Sequence, residues 1–193
     1  MNKKLYHVSH VGGLSVLEPR VSTHGKSYVY ATEDLTVALL FGTNKGMGDL
    51  DGKYGGGCFG VKPYFYEGYI GAFKRRYENC SCYIYEVDPT NFQTGKTSYG
   101  AEVVSEKPVK ILKCFKVENL YQTLLNLAKE NKLDLKFYDE KDIEYIKELK
   151  NHIKERMKLF NVIEDKKSNS YKFCELYHYE ILKELERENN LKF

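Results

Sequence analysis

The sequence predicts an α+β chain, with strands concentrated before residue 118 and helices after it. Two observations carry this. Up to residue 118, short β-branched and aromatic runs such as SYVYAT and CYIYEVD recur between Gly, Pro and polar residues. Beyond it, apolar residues fall three and four apart, the period of helices buried along one side. A length of 193 residues suits one compact domain or a domain with a helical appendage. The expected organisation is therefore a β-rich domain over 1–118 and a helical extension, packed on it, over 119–193.

Each element has its own signal. Residues 4–9, KLYHVS, read as a first strand, and Gly12-Gly13 marks a turn. SYVYAT, 27–32, is a second strand. Thr32 can then cap a helix through TEDLTVALLFG, with acidic residues in its first turn and Gly42 as its stop. The Gly-rich stretch 42–60 cannot bury much and is expected to be a mobile loop that a ligand could order. Its glycines match no phosphate-binding fingerprint. Strands resume at 82–88, 101–105 and 109–117. After these come three apolar helical faces: Leu120, Leu124 and Leu127; Ile143 through Phe160; and Cys174, Tyr177, Ile181, Leu182 and Leu185. Residues 164–170 form a loop.

Composition narrows the function classes. With 42% hydrophobic and 30% charged residues the chain is ordinary globular material. A net charge of +3 is too small for a nucleic-acid platform. The longest apolar run, VALLF, falls far short of the roughly 18 residues of a membrane span, and the basic start lacks the apolar stretch of a signal peptide. The five cysteines, Cys58, Cys80, Cys82, Cys114 and Cys174, are an odd number without a regular framework. They read as free thiols of a reducing cytoplasm. No His/Cys cluster has ligand spacing, so no metal is expected.

Three strand-borne segments carry the chemistry: LYHVS, SYVYATEDLTVALLF and YGAEVVSEKPVKIL. Taken singly, a strand His or Tyr is usually packing and a strand-end Glu is usually solvated. In this order, over residues 4–118, the segments resemble the His-Tyr-Glu class of the ADP-ribosyltransferase-like fold, the type of diphtheria toxin and the poly(ADP-ribose) polymerases. The matching residues are Tyr6-His7-Val8-Ser9, then Val29-Tyr30-Ala31-Thr32 with Ala38 and Phe41, then Glu102-Val103-Val104. The sequence departs from the family at Val8, which stands where the family carries Gly, and at Phe41, where the toxins carry Tyr. Gly100 takes the place of the Glu or Gln of the arginine-specific toxins, so arginine is not the expected acceptor.

The resemblance implies a split antiparallel sheet and NAD as the substrate. Glu102, His7 and Tyr30 are the implied catalytic set, and Tyr6, His7, Val8, Ser9, Arg20, Tyr30, Ala31, Thr32 and Phe41 the implied NAD contacts. Physically, a fixed carboxylate at Glu102 stabilises the positive charge that develops on ribose as the nicotinamide bond breaks. Tyr30 and Phe41 sandwich the nicotinamide ring. A neutral His7 holds a ribose hydroxyl or nearby backbone, and Arg20 meets phosphate. Glu106 is the alternative to Glu102. His10, His24, Lys26, Arg75 and Arg76 have weaker cases, and the run FKRRYE reads as a solvated face. The expected activity is transfer of ADP-ribose to an unidentified protein or small-molecule acceptor. The alternatives are a non-catalytic NAD, ADP-ribose or partner-binding module on the same fold, an RNA 2'-phosphotransferase and a structural interaction protein. No membrane partner is expected.

Overall fold

The computed structural model describes residues 4–21 and 25–191; His24 lies outside them. The chain divides into two compact units, Met1–Asn44 with Gly55–Tyr64 and Tyr77–Asp134, and Lys45–Tyr54 with Phe65–Arg76 and Leu135–Phe193.

Among the described residues, seven strands of the first unit form one curled sheet: β1 (Leu5–Ser9), β2 (Val16–Leu17), β3 (Arg20–Val21), β4 (Ser27–Thr32), β7 (Cys82–Val87), β8 (Glu102–Ser105) and β9 (Val109–Val117). The order is β2-β9-β7-β1-β4-β3, with β8 also paired to β4. The pairings are antiparallel. Alternation along the strands buries Leu5, Val29, Ala31, Tyr85, Val87 and Val103 in one core.

Helix α1 (Leu35–Leu40) is capped by Asp34, whose Oδ1 accepts from the amides of Thr36 and Val37 at 2.7 and 3.2 Å. The expected cap, Thr32, is one step removed: its Oγ1 accepts from the Asp34 amide at 3.2 Å. Helix α3 (Leu120–Lys129) contacts α1 within this unit and buries Leu120 and Leu124. The expected boundary after Glu118 therefore falls inside the first unit.

The second unit holds α2 (Ala72–Tyr77, to its penultimate residue), α4 (Ile143–Leu159), α5 (Asn169–Tyr177) and α6 (Tyr179–Asn190). It also holds most of a three-stranded sheet, ordered β10-β6-β5, of β5 (Gly52–Gly55), β6 (Tyr64–Glu67) and β10 (Asp134–Lys136). Tyr145, Leu149, Ile153 and Met157 of α4 share a core with Phe173, Cys174, Leu182 and Leu185. The third apolar face is thus two helices. The chain breaks at His178, which is 5% exposed and whose Nε2–H donates to the Leu50 carbonyl at 2.7 Å.

Two sequence readings are corrected here. The stretch 42–60 is built, not a featureless loop: it contains a 3₁₀ turn at Gly48–Leu50, strand β5, and a turn closed by Val61 N–H to Cys58 O at 2.9 Å. The run FKRRYE is not a solvated face. Arg76 is 5% exposed, lies 3.0 Å from a fully buried Asp51 and stands over the Tyr54 ring. Arg75 reaches the same carboxylate at 3.5 Å, and Tyr69 donates its hydroxyl to it at 2.9 Å. Among the described residues, no helix is long and apolar enough to cross a membrane.

Candidate functional site

The site begins where the sheet opens. β1 pairs with β7 along its whole length, from Leu5↔Val87 to Ser9↔Tyr83, but meets β4 in register only at Tyr6↔Thr32. On its other edge Thr32 pairs with Glu102 of β8. Tyr6, Thr32 and Glu102 therefore form one row across three neighbouring strands. Beyond that row the ladder between β1 and β4 is replaced by a side chain: His7 Nδ1 lies 2.7 Å from the Tyr30 carbonyl. A carbonyl only accepts, so Nδ1 carries the proton and Nε2 is left as an acceptor. Burial holds the His7 pKa below its ordinary 6.5, against the pull of the Tyr30 carbonyl; the Arg20 charge lowers it further. The ring is neutral at neutral pH.

A cavity of about 240 Å³ opens at this split. β1 contributes Tyr6, His7 and Val8, β4 contributes Tyr30, Ala31 and Thr32, and β8 contributes Glu102. Val37 and Ala38 come from α1, with Phe41 at its C-terminal cap. Tyr99 completes the lining. The cavity walls are apolar apart from the Glu102 carboxylate, the neutral His7 imidazole and the hydroxyl-bearing Tyr6, Tyr30, Thr32 and Tyr99, a lining that suits a small, largely apolar ligand with a few fixed polar contacts.

Of the residues singled out from sequence, Tyr6, His7, Val8, Tyr30, Ala31, Thr32, Phe41 and Glu102 meet in this cavity. Ser9 and Arg20 instead line a second one of about 450 Å³, which shares His7 and Tyr30 with the first. Ser9 Oγ accepts from the Val11 amide at 3.1 Å. Arg20 is exposed, in register with Tyr28. His10, Lys26 and Glu106 are exposed and line neither cavity, and Arg75 and Arg76 are committed to Asp51.

Tyr30 meets Tyr28 edge-on, 5.8 Å between centroids at 88°. Phe41 meets Tyr99, 5.9 Å apart at 50°. Tyr99 escaped the sequence reading because TGKTSYG has the composition of a turn. Its hydroxyl donates to the Gly56 carbonyl at 2.7 Å, and burial raises its pKa, so the proton stays on.

All five cysteines are free thiols, and burial pushes that of Cys174 up to about 12. Among the described residues, no three His, Cys, Asp or Glu side chains gather as a metal site. No protein-family model, curated protein or solved structure matches the chain.

Proposed function

We propose that the chain is an ADP-ribosyltransferase of the His-Tyr-Glu type, which cleaves the nicotinamide–ribose bond of NAD and transfers ADP-ribose to an acceptor. One observation carries the reading: His7, Tyr30, Thr32, Phe41 and Glu102, from three separate segments, line one cavity.

In this reading the nicotinamide ring lies against Tyr30 and Phe41, and Nε2 of His7 accepts from a ribose hydroxyl. The C–N bond breaks with its electron pair leaving on nicotinamide. Positive charge then builds on the ribose carbon, and Glu102 faces that charge without having to reorganise. The acceptor's nucleophile bonds to the same carbon and loses its proton. The second cavity, with Arg20, receives the phosphate-bearing remainder of the dinucleotide. The acceptor is a protein or small-molecule group other than arginine.

A second reading has its own observation. Val8 lines the cavity with a branched side chain where the resembled family carries Gly, and a narrowed wall favours a binding module without turnover. Nicotinamide release separates the two. Glu102→Gln keeps the size but removes the charge, so NAD affinity stays within a few-fold while turnover drops by about 10²–10³. Glu106→Gln changes little. If wild type releases nicotinamide and neither substitution alters the rate, the assignment of the charge-stabilising role to Glu102 fails. Binding without release supports the module.

A further inference from the structure

We propose that Tyr99 is the positioning residue for Glu102, fixing the turn that delivers the carboxylate to the cavity. The role of that carboxylate rests on the function proposed above; the fixing itself does not. Glu102 is the first residue of β8, where a ladder restrains the chain least. What precedes it is the segment TGKTSYG, in which Lys96, Ser98 and Gly100 are exposed. Ala101, between it and Glu102, is buried, and Gly100 lies close to Phe59 and Cys58, so packing holds this strand end in part and Tyr99 adds the polar ties.

Tyr99 adds to that hold at three points. Its carbonyl accepts from the Glu102 amide at 3.0 Å and from Thr97 Oγ1 at 3.4 Å. Its ring packs on Phe41, beside it in the lining of the cavity. Its hydroxyl donates to the carbonyl of Gly56 at 2.7 Å. Gly56 is itself anchored, because the next residue, Gly57, packs directly on Val37 of α1 and donates its amide to the Val61 carbonyl at 2.8 Å. One side chain thus joins the turn before Glu102, the loop 55–61 and the helix wall of the cavity. Tyr99 acts through Glu102 and is not itself catalytic.

The test uses Tyr99→Phe, which keeps the ring and removes the hydroxyl tie. Amide exchange followed by NMR is expected to quicken about fivefold at Gly57, Val61 and Glu102, the scale of one lost hydrogen bond. Val104, whose amide bonds the Gln93 carbonyl, serves as the reference and is expected to be unchanged. In nicotinamide release from NAD, Tyr99→Phe lowers kcat about tenfold with KM within about twofold, the signature of a lost transition-state interaction. Added to Glu102→Gln it lowers kcat no further, because the group it positions is already gone. A plain loss of stability does not produce that non-additivity. Unchanged exchange at the three amides, or fully additive losses in the double variant, overturns the proposal. If wild type releases no nicotinamide, the NAD reading falls, and the exchange measurement alone decides whether Tyr99 fixes the turn.

Discussion

Replacing Gly57 with alanine tests the wall of the cavity, and its cost can be worked out in two parts. Gly57 has φ +75°, a left-handed conformation that costs an L residue about 1 kcal/mol. A methyl group there also stands 2.3 Å from Val37 Cγ2. Val37 is 1% exposed and packed in the cavity wall, so it gives way by shifting its neighbours or by narrowing the cavity. Overpacking of this kind adds about 1–3 kcal/mol. The expected total is about 2–4 kcal/mol. Gly60 is the control: its φ is +76°, but nothing lies within 4 Å of the added carbon, so Gly60→Ala carries only the backbone part, about 1 kcal/mol. Urea unfolding followed by tyrosine fluorescence reads both, since the chain has 17 Tyr and no Trp. In a Val37→Ala background the steric part disappears and Gly57→Ala falls to about 1 kcal/mol. Equal costs at the two glycines, or an excess that survives Val37→Ala, refutes the close approach of this loop to α1.

Three further outcomes follow from the same contacts. Tyr30→Ala weakens NAD binding by about 1–3 kcal/mol, the scale of aromatic stacking, while Tyr30→Phe binds as wild type in calorimetry; equal affinity for wild type and Tyr30→Ala ends that assignment. Asp51→Asn removes the buried carboxylate charge that faces Arg76 at 3.0 Å and costs about 3–5 kcal/mol in denaturant unfolding; a cost below about 1 kcal/mol refutes the ion pair as a buried one. Burial holds His7, His152 and His178 below 6.5 in the folded chain, whereas the unfolded chain titrates near it. The unfolded state therefore binds more protons in acid, and stability, complete above 6.5, is lost as pH falls through the lowered values. His178→Gln makes the loss between about pH 7 and 5 shallower; the same pH slope of the urea midpoint in both proteins contradicts it.

The strands β1, β4, β7, β8 and β9 were legible because each is a run of β-branched or aromatic residues with a polar boundary, and α3 and α4 because their apolar residues keep helical spacing. What was not legible depends on partners far away in the chain. Nothing in Tyr177-His178-Tyr179 signals a helix break; the break comes with a bond from His178 to Leu50, 128 residues earlier. FKRRYE reads as surface until Asp51, 25 residues before Arg76, is brought against it. β5 has glycine at both ends, and β6, Tyr64–Glu67, is too short for alternation to show.

The site divides the same way. His7, Tyr30 and Glu102 could be picked out because each sits on a strand that the pattern already located. The choice between Glu102 and Glu106 could not be made from alternation, since residues four apart on a strand share a face. Position along the strand sets which of the two lines the cavity: Glu102 pairs with Thr32, whose other neighbour is Tyr6, whereas β8 ends at Ser105 and leaves Glu106 exposed in the turn beyond. The opening between β1 and β4 was equally hidden, because one registered pair and one His7 bond to a carbonyl leave no mark on composition. A strand pattern says which residues are available to a site. The register, and the point at which a ladder stops, determine which of them meet.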